Sequence, residues 1–290
     1  MWQQKSFDNE ETKGILYLVP TPIGNLEDMS FRAIRMLKEA DYIAAEDTRN
    51  SKKLLHYFEI DTPLMSYHEH NKENSGRKII GLLKEGAKVA LISDAGLPTI
   101  SDPGFELVVA AIAEQLTVVP LPGANAALTA LIASGISTQP FYFFGFLDRQ
   151  KKDKRKQLEE LGFIPATIIL YEAPHRLKET LILIEEVLGN RKMALCRELT
   201  KRYEEFIRGT VSEFIQWASE QEVRGEFCLI IEKGEPVTRV EDHWWEDLSI
   251  TDHVEHYIEE KGMTSKDAIK QTAKDRDMNK RDVYHLYHVE

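Results

Sequence analysis

The sequence predicts an α/β protein with two domains and a small helical tail. Its 290 residues are enough for two domains at roughly 150 residues each. Short apolar segments typical of buried strands alternate with helical segments through most of the chain, which indicates sheets covered by helices. Only helical patterns follow the last predicted strand. The predicted divisions are an N-terminal tail at 1–13, a first α/β domain at 14–137, a second α/β domain at 138–235, and a linker with a helical tail at 236–290.

The first half alternates strands and helices, each with a local signal. Residues 14–19 (GILYLV) form an apolar run that ends at a Pro–Thr–Pro turn, which is typical of a buried strand. Ser30 is a suitable N-cap for a helix at 30–39, where apolar residues recur at helical spacing. The alternation predicts parallel strand pairing. By the same criteria we predict strands at 42–45, 88–92 and 117–119, and helices at 49–58, 73–85, 105–114 and 124–134.

The second half repeats the alternation with more strands, and the tail contains helices only. A polar stretch at 233–242 that contains a proline is interpreted as a linker. In the tail, Thr264 and Asp267 have capping-box spacing, and Asn279 is a suitable cap for a last helix. Two short helices around a tight turn indicate a helix-turn-helix-like unit. In the second half we predict strands at 141–146, 167–171, 192–197, 206–209 and 226–232, and helices at 177–188 and 211–219.

Composition and charge exclude several classes of protein. With 42% apolar and 29% charged residues, the chain can form a sizeable core and is neither disordered nor fibrous. The net charge of −11 argues against a protein that simply coats nucleic acid, because phosphate binding depends on Lys and Arg. The two cysteines exclude a disulfide framework and a zinc cluster, and they indicate a reducing, cytoplasmic location.

The uncharged stretch at 115–147 is not expected to cross a membrane. Proline, glycine and asparagine residues interrupt it, whereas a spanning helix needs about 20 consecutive, mostly apolar residues. We interpret this stretch as buried strand, loop and helix. The polar, acidic residues at the N-terminus are likewise not expected to form a signal peptide.

Three loops that follow first-half strands lie where open α/β sheets bind their ligands. Residues 20–25 (PTPIGN) form either a structural turn or a segment whose backbone approaches a ligand closely. Residues 46–49 (EDTR) form either an exposed ion pair or polar groups directed into a cleft. Residues 93–104 (SDAGLPTISDPG) form a long loop, and such loops inside compact domains are often functional. In that loop, Asp94 or Asp102 is available to accept hydrogen bonds from hydroxyls or an ammonium group.

A basic run interrupts the otherwise acidic chain at 149–156 (RQKKDKRK), where six basic residues accompany one acid. The run is either a solvated loop or helix start, or a patch that binds phosphate groups. In the second case the RNA-binding residues are Arg149, Lys151, Lys152, Lys154, Arg155 and Lys156.

Several long motifs resemble those of one protein family. They are TPIGNLEDMSFRAIRMLKEAD, EDTRNSKKLL, VALISDAGLPTISDPG, LPGANAALTALIASG, FFGFL, YEAPHRL and RELTKRYEE. Together they are similar to the ribosomal RNA small-subunit methyltransferase I family of the tetrapyrrole-methylase-like superfamily. The resemblance runs from about residue 14 to 232, and the tail resembles the helix-turn-helix extension of many members.

The resemblance implies a two-domain tetrapyrrole-methylase-like fold, often a homodimer, with S-adenosylmethionine bound in a cleft between the domains. It also implies methyl transfer to the 2′-hydroxyl of a cytidine ribose in the decoding region of 16S rRNA. The substrate would be either the free rRNA or the small ribosomal subunit. By motif position, the implied cofactor-binding residues are Pro22, Asp94, Ala95, Gly96, Ile100, Gly123, Asn125, Ala126, Tyr171, Glu172, Ala173, Glu226 and Phe227.

Such methyl transfer depends mainly on aligning the acceptor oxygen, the methyl carbon and the sulfur. Because a ribose hydroxyl is a poor nucleophile until it loses its proton, a base or a positive field is required. The candidate bases are Asp47, Glu46 and His68, and Arg49 or Lys201 would supply positive charge. The histidines of the YHEH segment are typical of surface groups, so no metal site is predicted.

Two alternative functions are considered beside rRNA methylation. One is methylation of a tetrapyrrole or other small molecule, although the basic run and the helical tail favour RNA because a small anionic macrocycle needs neither. The other is a non-catalytic regulator that binds RNA in the presence of S-adenosylmethionine. This second alternative predicts cofactor binding without turnover, and the polar cluster at 46–49 argues against it.

Overall fold

The computed structural model describes residues 1–6, 14–234, 245, 247–276 and 278–288. The chain divides into two compact units, Met1–Pro236 and Val237–Glu290. Residues 7–13 of the predicted N-terminal tail and residues 235–242 of the predicted linker lie outside the described part of the chain. None of the described helices is both long and apolar enough to cross a membrane.

The first sheet is parallel throughout, as predicted. Its strands are β1 (Ile15–Leu18), β2 (Tyr42–Ala45), β3 (Leu64–Ser66), β4 (Lys88–Ile92) and β5 (Thr117–Pro120). They pair in the order β3-β2-β4-β1-β5. In the central strand β4, Ala90 and Ile92 pack into one apolar core, and Val89 and Leu91 pack into another. The sheet is therefore covered on both faces, as parallel sheets require.

Five helices accompany the first-half strands, and the predicted cap of the first one is confirmed. They are α1 (Phe31–Glu39), α2 (Thr48–Tyr57), α3 (Lys72–Lys84), α4 (Phe105–Ala113) and α5 (Ala126–Ser134). The Ser30 hydroxyl oxygen accepts a hydrogen bond from the Ala33 N–H at 3.1 Å, and α1 then buries Met36 and Leu37. Strand β3 was not predicted because its three residues are only half-buried and form no long apolar run.

The second sheet is mixed, which corrects the expectation that the second half repeats the first. Its strands are β6 (Phe141–Phe146), β7 (Thr167–Glu172), β8 (Lys192–Arg197), β9 (Glu205–Thr210) and β10 (Phe227–Ile231), paired in the order β6-β7-β10-β8-β9. Only β6 and β7 are parallel. The connection from β8 to β9 contains no helix and is too short for the crossover that parallel strands need, so these strands pair antiparallel.

Helices cover this second sheet on both faces. On one face lie α6 (Lys151–Gly162), α7 (Pro174–Leu188) and α8 (Val211–Glu220), which share an apolar core with the strands. On the other face lies α5, whose Ala127, Ala130 and Leu131 pack with Ile169 and Ile230. Helix α5 therefore carries the chain from the first sheet onto the second. The basic run, left open as a loop or helix start, begins α6.

The C-terminal unit is helical, as predicted. Its helices are α9 (Ile250–Glu259), α10 (Ser265–Asp275) and α11 (Lys280–His288). The predicted caps are confirmed, because Thr264 Oγ1 accepts from the Asp267 N–H at 3.3 Å and Asn279 Oδ1 accepts from the Arg281 N–H at 3.0 Å. The buried core of this unit contains Val254, Ala268, Ile269, Ala273 and Val283.

Candidate active site

A cleft of about 640 Å³ lies between the two sheets of the first unit. Its volume falls within the range of sites that bind small molecules and cofactors. The first half contributes the loops after β1 and β4, and the second half contributes the end of β7 and the start of β10. The residues at these four places include Ile23, Asp102, Tyr171 and Phe227.

The loops that follow β1 and β4 are hydrogen-bonded to each other beside the cleft. The Thr21 N–H donates to Gly96 O at 2.9 Å, and the Gly96 N–H donates to Thr21 O at 3.0 Å. Thr21 is almost fully buried and its hydroxyl donates to Ser93 O at 3.1 Å. The Ser93 hydroxyl in turn donates to Gly96 O at 3.2 Å. The two loops are therefore held as one wall.

Gly96 has a backbone conformation that favours glycine. Its φ is +82°, and a Cβ added there would lie 3.3 Å from Ile23 Cγ2 and 3.4 Å from Ala124 O. In the same loop, Thr99 and Ser101 also have positive φ, at 75° and 64°. Left-handed conformations of non-glycine residues are costly and cluster at functional sites. The shape of this loop is therefore consistent with a ligand-binding role.

Two contacts join the first half of the unit to the second beside the cleft. The Tyr171 hydroxyl oxygen accepts a hydrogen bond from the Ala127 N–H at the start of α5, at 3.1 Å. Burial raises the pKa of Tyr171 to about 12, so the hydroxyl keeps its proton near neutral pH. The second contact is close, because a Cβ on Gly24 would lie 2.4 Å from Lys201 Cγ. Glycine at position 24 therefore allows the first loop to touch the second half.

Three acidic side chains lie near one another where the first sheet meets the cleft. Asp102 lines the cleft and is half-buried, and burial together with the charge of Glu46 raises the pKa of Asp102 to about 6. Burial and the charge of Asp94 also raise the pKa of Glu46. Asp94 accepts from the Asp47 N–H at 3.2 Å. The group therefore contains a carboxyl, Asp102, that titrates close to physiological pH.

On the opposite wall, a lysine is paired with two glutamates. Lys201 Nζ lies 3.0 Å from Glu226 Oε2 and 3.3 Å from Glu198 Oε1. The Glu226 N–H also donates to Glu198 Oε1 at 2.9 Å. Burial alone would lower the pKa of Lys201, but the two carboxylates outweigh it and raise the pKa. The lysine is therefore charged and fixed at the edge of the cleft.

The chain is similar over its whole length to proteins of one family. The family model described as Tetrapyrrole (Corrin/Porphyrin) Methylases matches residues 15–215. Over 289 residues the chain is 64% identical to a Bacillus subtilis (strain 168) protein named Ribosomal RNA small subunit methyltransferase I, with 99% of this chain and 98% of that protein covered. The chain belongs to the ribosomal RNA small subunit methyltransferase I family. A protein of the same name from Halalkalibacterium halodurans is 59% identical, with 100% of both chains covered.

The fold expected from the family resemblance is confirmed. The X-ray structure of a cobalt precorrin-4 methyltransferase, a cobalamin biosynthetic enzyme, aligns with a TM-score of 0.58. The alignment covers 75% of this chain and 94% of that chain at 16% identity, so it bears on the fold alone. The methyltransferase family is thus established from sequence, and its two-sheet architecture from structure.

Most of the cofactor-binding residues implied by the family resemblance line the cleft. Those that do are Ala95, Gly96, Ile100, Asn125, Ala126, Tyr171, Glu172, Ala173, Glu226 and Phe227. Pro22 and Asp94 instead line a neighbouring cavity of about 390 Å³. Gly123 packs against Pro20, whose Cγ would lie 2.2 Å from an added Cβ. Contact of all these residues with a cofactor stays a prediction.

Glu172 borders the cleft, but its side chain is hydrogen-bonded within the fold. Its side chain is almost fully buried, Oε1 accepts from the Ala173 N–H at 2.9 Å, and Oε2 accepts from the Thr180 hydroxyl at 2.6 Å. Arg176 lies 3.4 Å from Oε1. These contacts fix the start of α7 and leave Glu172 little capacity for an additional ligand.

The predicted catalytic residues lie at the end of β2 and β3, outside the lining of the cleft. Asp47 caps α2 and forms a two-pronged ion pair with Arg49, with Oδ1 3.2 Å from Nε and Oδ2 3.0 Å from Nη2. The exposed ion pair, one of the two interpretations of residues 46–49, is therefore present. Glu46 instead belongs to the acidic group beside the cleft, where burial and the charge of Asp94 raise the pKa of its carboxyl. Their catalytic roles stay predictions.

Some cleft residues carried no signal of their own in the sequence. Glu198 and Phe146 line the cleft, but the sequence singled out only the family motifs RELTKRYEE and FFGFL that contain them. Each stands at or just beyond the end of a second-half strand. The rule that ligands bind at strand ends, applied to the second half as well as the first, would have indicated them.

The basic run begins just before α6 and continues through the first half of that helix, and one of its residues requires a correction. Arg149, Lys151, Lys152 and Lys156 are exposed, and Arg155 is half-buried and paired with Glu186. Lys154 is only 1% exposed; its Nζ donates to the Thr180 hydroxyl at 3.1 Å and lies 3.4 Å from Glu179. Because it is inside the fold, Lys154 is not available to bind RNA.

Proposed function

We propose that this protein transfers a methyl group from S-adenosylmethionine to the 2′-hydroxyl of a cytidine ribose in the decoding region of 16S rRNA. The observation that carries the proposal is identity of 64% and 59% over essentially full length to proteins named Ribosomal RNA small subunit methyltransferase I. The exposed basic residues of α6 support a nucleic-acid substrate. Ribosomal RNA lies in the cytoplasm, which agrees with the location expected from the cysteine content.

The residues of the cleft fit S-adenosylmethionine. Because Gly96 has no side chain, the space beside the backbone of Ala124 is open to a ligand, whereas a Cβ at this position would crowd it. The carboxylate of Glu226 can accept hydrogen bonds from ribose hydroxyls or an ammonium group, and the apolar surfaces of Ile23 and Phe227 suit an adenine ring. S-adenosylmethionine supplies a methyl group already activated by its sulfonium.

The chain itself has to position the ribose and remove a proton. We assign the proton acceptor to Asp102, because it lines the cleft and its pKa of about 6 keeps it ionised at neutral pH yet basic enough to take a proton. Asp47 is a weaker candidate because the hydrogen bonds from Arg49 lower the pKa of its carboxyl. Lys201, held by Glu198 and Glu226, supplies positive charge at the edge of the cleft.

A transfer assay tests this function directly. Purified protein, methyl-labelled S-adenosylmethionine and either small ribosomal subunits or free 16S rRNA should give label in the RNA, mapped to a cytidine ribose. Label on an RNA base would contradict the 2′-hydroxyl as the acceptor. Label on an added tetrapyrrole or other small molecule in place of RNA would support the small-molecule alternative. Cofactor binding without any transfer would support a regulator.

The exposed basic residues of α6 are expected to contribute to RNA binding through their attraction to phosphates. For single-stranded nucleic acid, removing one basic side chain that neutralises a phosphate should reduce the slope of log affinity against log salt by about 0.7. The double variant Lys151→Gln/Lys152→Gln should therefore weaken binding to 16S rRNA and flatten that slope by about 1.4, measured by filter binding at several salt concentrations. Arg35→Gln/Lys38→Gln on α1 removes the same charge elsewhere and should change the slope little. Equal slopes in both double variants would show that α6 only solubilises the protein.

A homodimer also stays a prediction. Exposed apolar side chains on α4 and α5 support it, because Phe105 and Ile132 are 66% and 77% exposed. Light scattering of the purified chain would give the oligomeric state.

A further inference from the structure

A β-bulge in β6 determines the direction of a phenylalanine at the cleft. Phe143 pairs with Ile169 of β7, but the next pairs are Gly145 with Leu170 and Phe146 with Tyr171, so β6 contains one extra residue. Successive side chains of a regular strand point to opposite faces. If the same residues formed a regular strand with no bulge, Phe146 would share a face with Phe144 rather than with Phe143.

The two faces of the sheet have different surroundings. Phe144 packs against the core under α6 and α7, whereas Phe143 packs against the core under α5. The bulge therefore turns Phe146 from the α6 and α7 face to the face that borders the cleft. Bulges often redirect a side chain next to a functional site.

Gly145 allows the backbone conformation of this bulge and its close approach to the loop after β4. Its φ is +84°, and a Cβ added there would lie 3.2 Å from the Ser101 hydroxyl of the loop after β4. The end of β6 thus approaches the same loop that carries Gly96 and Asp102. Phe146 stands where this loop, the end of β7 and the start of α6 come together.

Phe146 lines the cleft but is 54% exposed. Its ring contacts Tyr171 edge to face, with centroids 5.4 Å apart, so that its orientation is fixed. The exposed part of the ring is not buried in the core, so it contributes little to the stability of the fold. Its exposed surface is free for a planar ligand.

The chain leads directly from Phe146 to positive charge. Arg149, Lys151 and Lys152 are exposed within six residues of it. Arg176 of α7 holds the intervening segment by donating to Leu147 O at 2.8 Å and Asp148 O at 2.6 Å. An aromatic surface beside fixed positive charge is the arrangement that binds single-stranded nucleic acid, with the base stacked and the backbone neutralised.

We propose that Phe146 is the platform on which the base of the target nucleotide stacks, while the start of α6 holds the adjoining phosphates. The inference rests on the proposed function, since it takes RNA as the substrate. Enzymes that modify a nucleotide commonly remove its base from the surrounding stack and bind it against aromatic side chains. Stacking at Phe146 would hold the ribose beside Asp102.

Three variants test this platform with small ribosomal subunits and 16S rRNA as probes. Phe146→Ala should weaken RNA binding roughly 5- to 150-fold, the range that corresponds to loss of one base–aromatic stack. Phe146→Leu, which keeps an apolar side chain against Tyr171 but has no π face, should lose binding in a folded protein. Phe146→Tyr should restore it. Phe31→Ala removes a 93% exposed ring on α1 and serves as the matched control.

The salt dependence separates stacking from charge. Stacking neutralises no phosphate, so Phe146→Ala should lower affinity by the same factor at every salt concentration and leave the salt slope unchanged. KM for the subunits should rise, and binding of S-adenosylhomocysteine should stay at the wild-type level.

Each other outcome overturns the platform. RNA binding unchanged in Phe146→Ala would do so, and so would failure of Phe146→Tyr to restore binding. Weakened binding of S-adenosylhomocysteine would assign Phe146 to the cofactor wall instead. If the wild-type chain itself neither binds nor methylates the RNA, the proposed function fails. If the wild-type chain is active and Phe146→Ala binds RNA equally well, only the platform fails.

Discussion

Asp102→Asn is expected to slow methyl transfer by about 10²- to 10⁴-fold, the usual effect of losing a general base. The variant keeps the size and hydrogen bonding of the side chain, so cofactor and RNA affinity should change little. In the wild-type protein, kcat/KM should rise as the pH increases through about 6, because Asp102 must be ionised to accept a proton. Single-turnover rates from pH 5 to pH 8 would show this rise in the wild-type protein and its absence in the variant.

The stability of Asp102→Asn should change in the opposite direction from its activity. The folded pKa is raised from 3.8 to about 6, so the folded state disfavours the ionised carboxylate that the unfolded chain tolerates. Both states are protonated well below pH 4, and the folded state is destabilised progressively as pH rises from about 4 to about 6. The variant should therefore melt higher than wild type at pH 8, and the difference should disappear below pH 4.

Asp47→Asn, measured in parallel, decides between the two carboxylates. If Asp47 is the base, its variant will be the slow one and Asp102→Asn will retain turnover. If Asp47 only caps α2 and pairs with Arg49, Asp47→Asn should affect melting more than turnover, since asparagine also caps helices but cannot form the ion pair. A slow Asp102→Asn that also melts lower than wild type would indicate a structural role and contradict the assignment.

Gly96→Val should abolish binding of S-adenosylhomocysteine. Valine at a φ of +82° is strained, and its side chain would meet Ile23 and the Ala124 carbonyl at the cleft wall. A ligand at 100 times its Kd stabilises a protein by about 2.7 kcal/mol, which appears as a rise in melting temperature. We expect this rise in the wild type and none in the variant.

Gly189→Val is the matched control for backbone strain. Gly189 follows α7 with the same φ of +82°, but no atom lies within 4 Å of its added Cβ. Both variants should melt lower than wild type without ligand, whereas only Gly189→Val should keep the ligand-induced rise. A normal rise in a folded Gly96→Val protein would place the cofactor elsewhere.

Local patterns in the sequence were sufficient for most elements but not for the pairing of the second sheet. Apolar runs and caps such as Ser30 depend on neighbouring residues, so they could be recognised directly. The short connection without a helix could have indicated the antiparallel pairing of β8 and β9. The antiparallel pairing of β10 with β7 and β8 joins strands that are far apart in the sequence, and nothing local indicates its direction. The pattern predicted two α/β domains, and the family resemblance added the tetrapyrrole-methylase-like fold.

The candidate site was predictable in part. The long loop after β4 stood out by its length and composition, but the raised pKa of Asp102 depends first on its burial and then on the charge of Glu46. The parallel pairing of β2 and β4 brings Glu46 close from far along the chain. The burial of Lys154 could have been predicted. It precedes Leu158 and Leu161 by four and seven residues, which places all three on the buried face of α6.

The single extra residue in β6 has an evolutionary consequence. Inserting one residue between Gly145 and Phe146 would move Phe146 from the position opposite Tyr171 to the position opposite Glu172. The ring would then turn away from the cleft while β7 and the helices kept their places. Insertion of one codon therefore separates a cleft with an aromatic wall from a cleft without one. A change of this kind is a short mutational route by which one inherited scaffold can exchange a planar substrate for another of different shape.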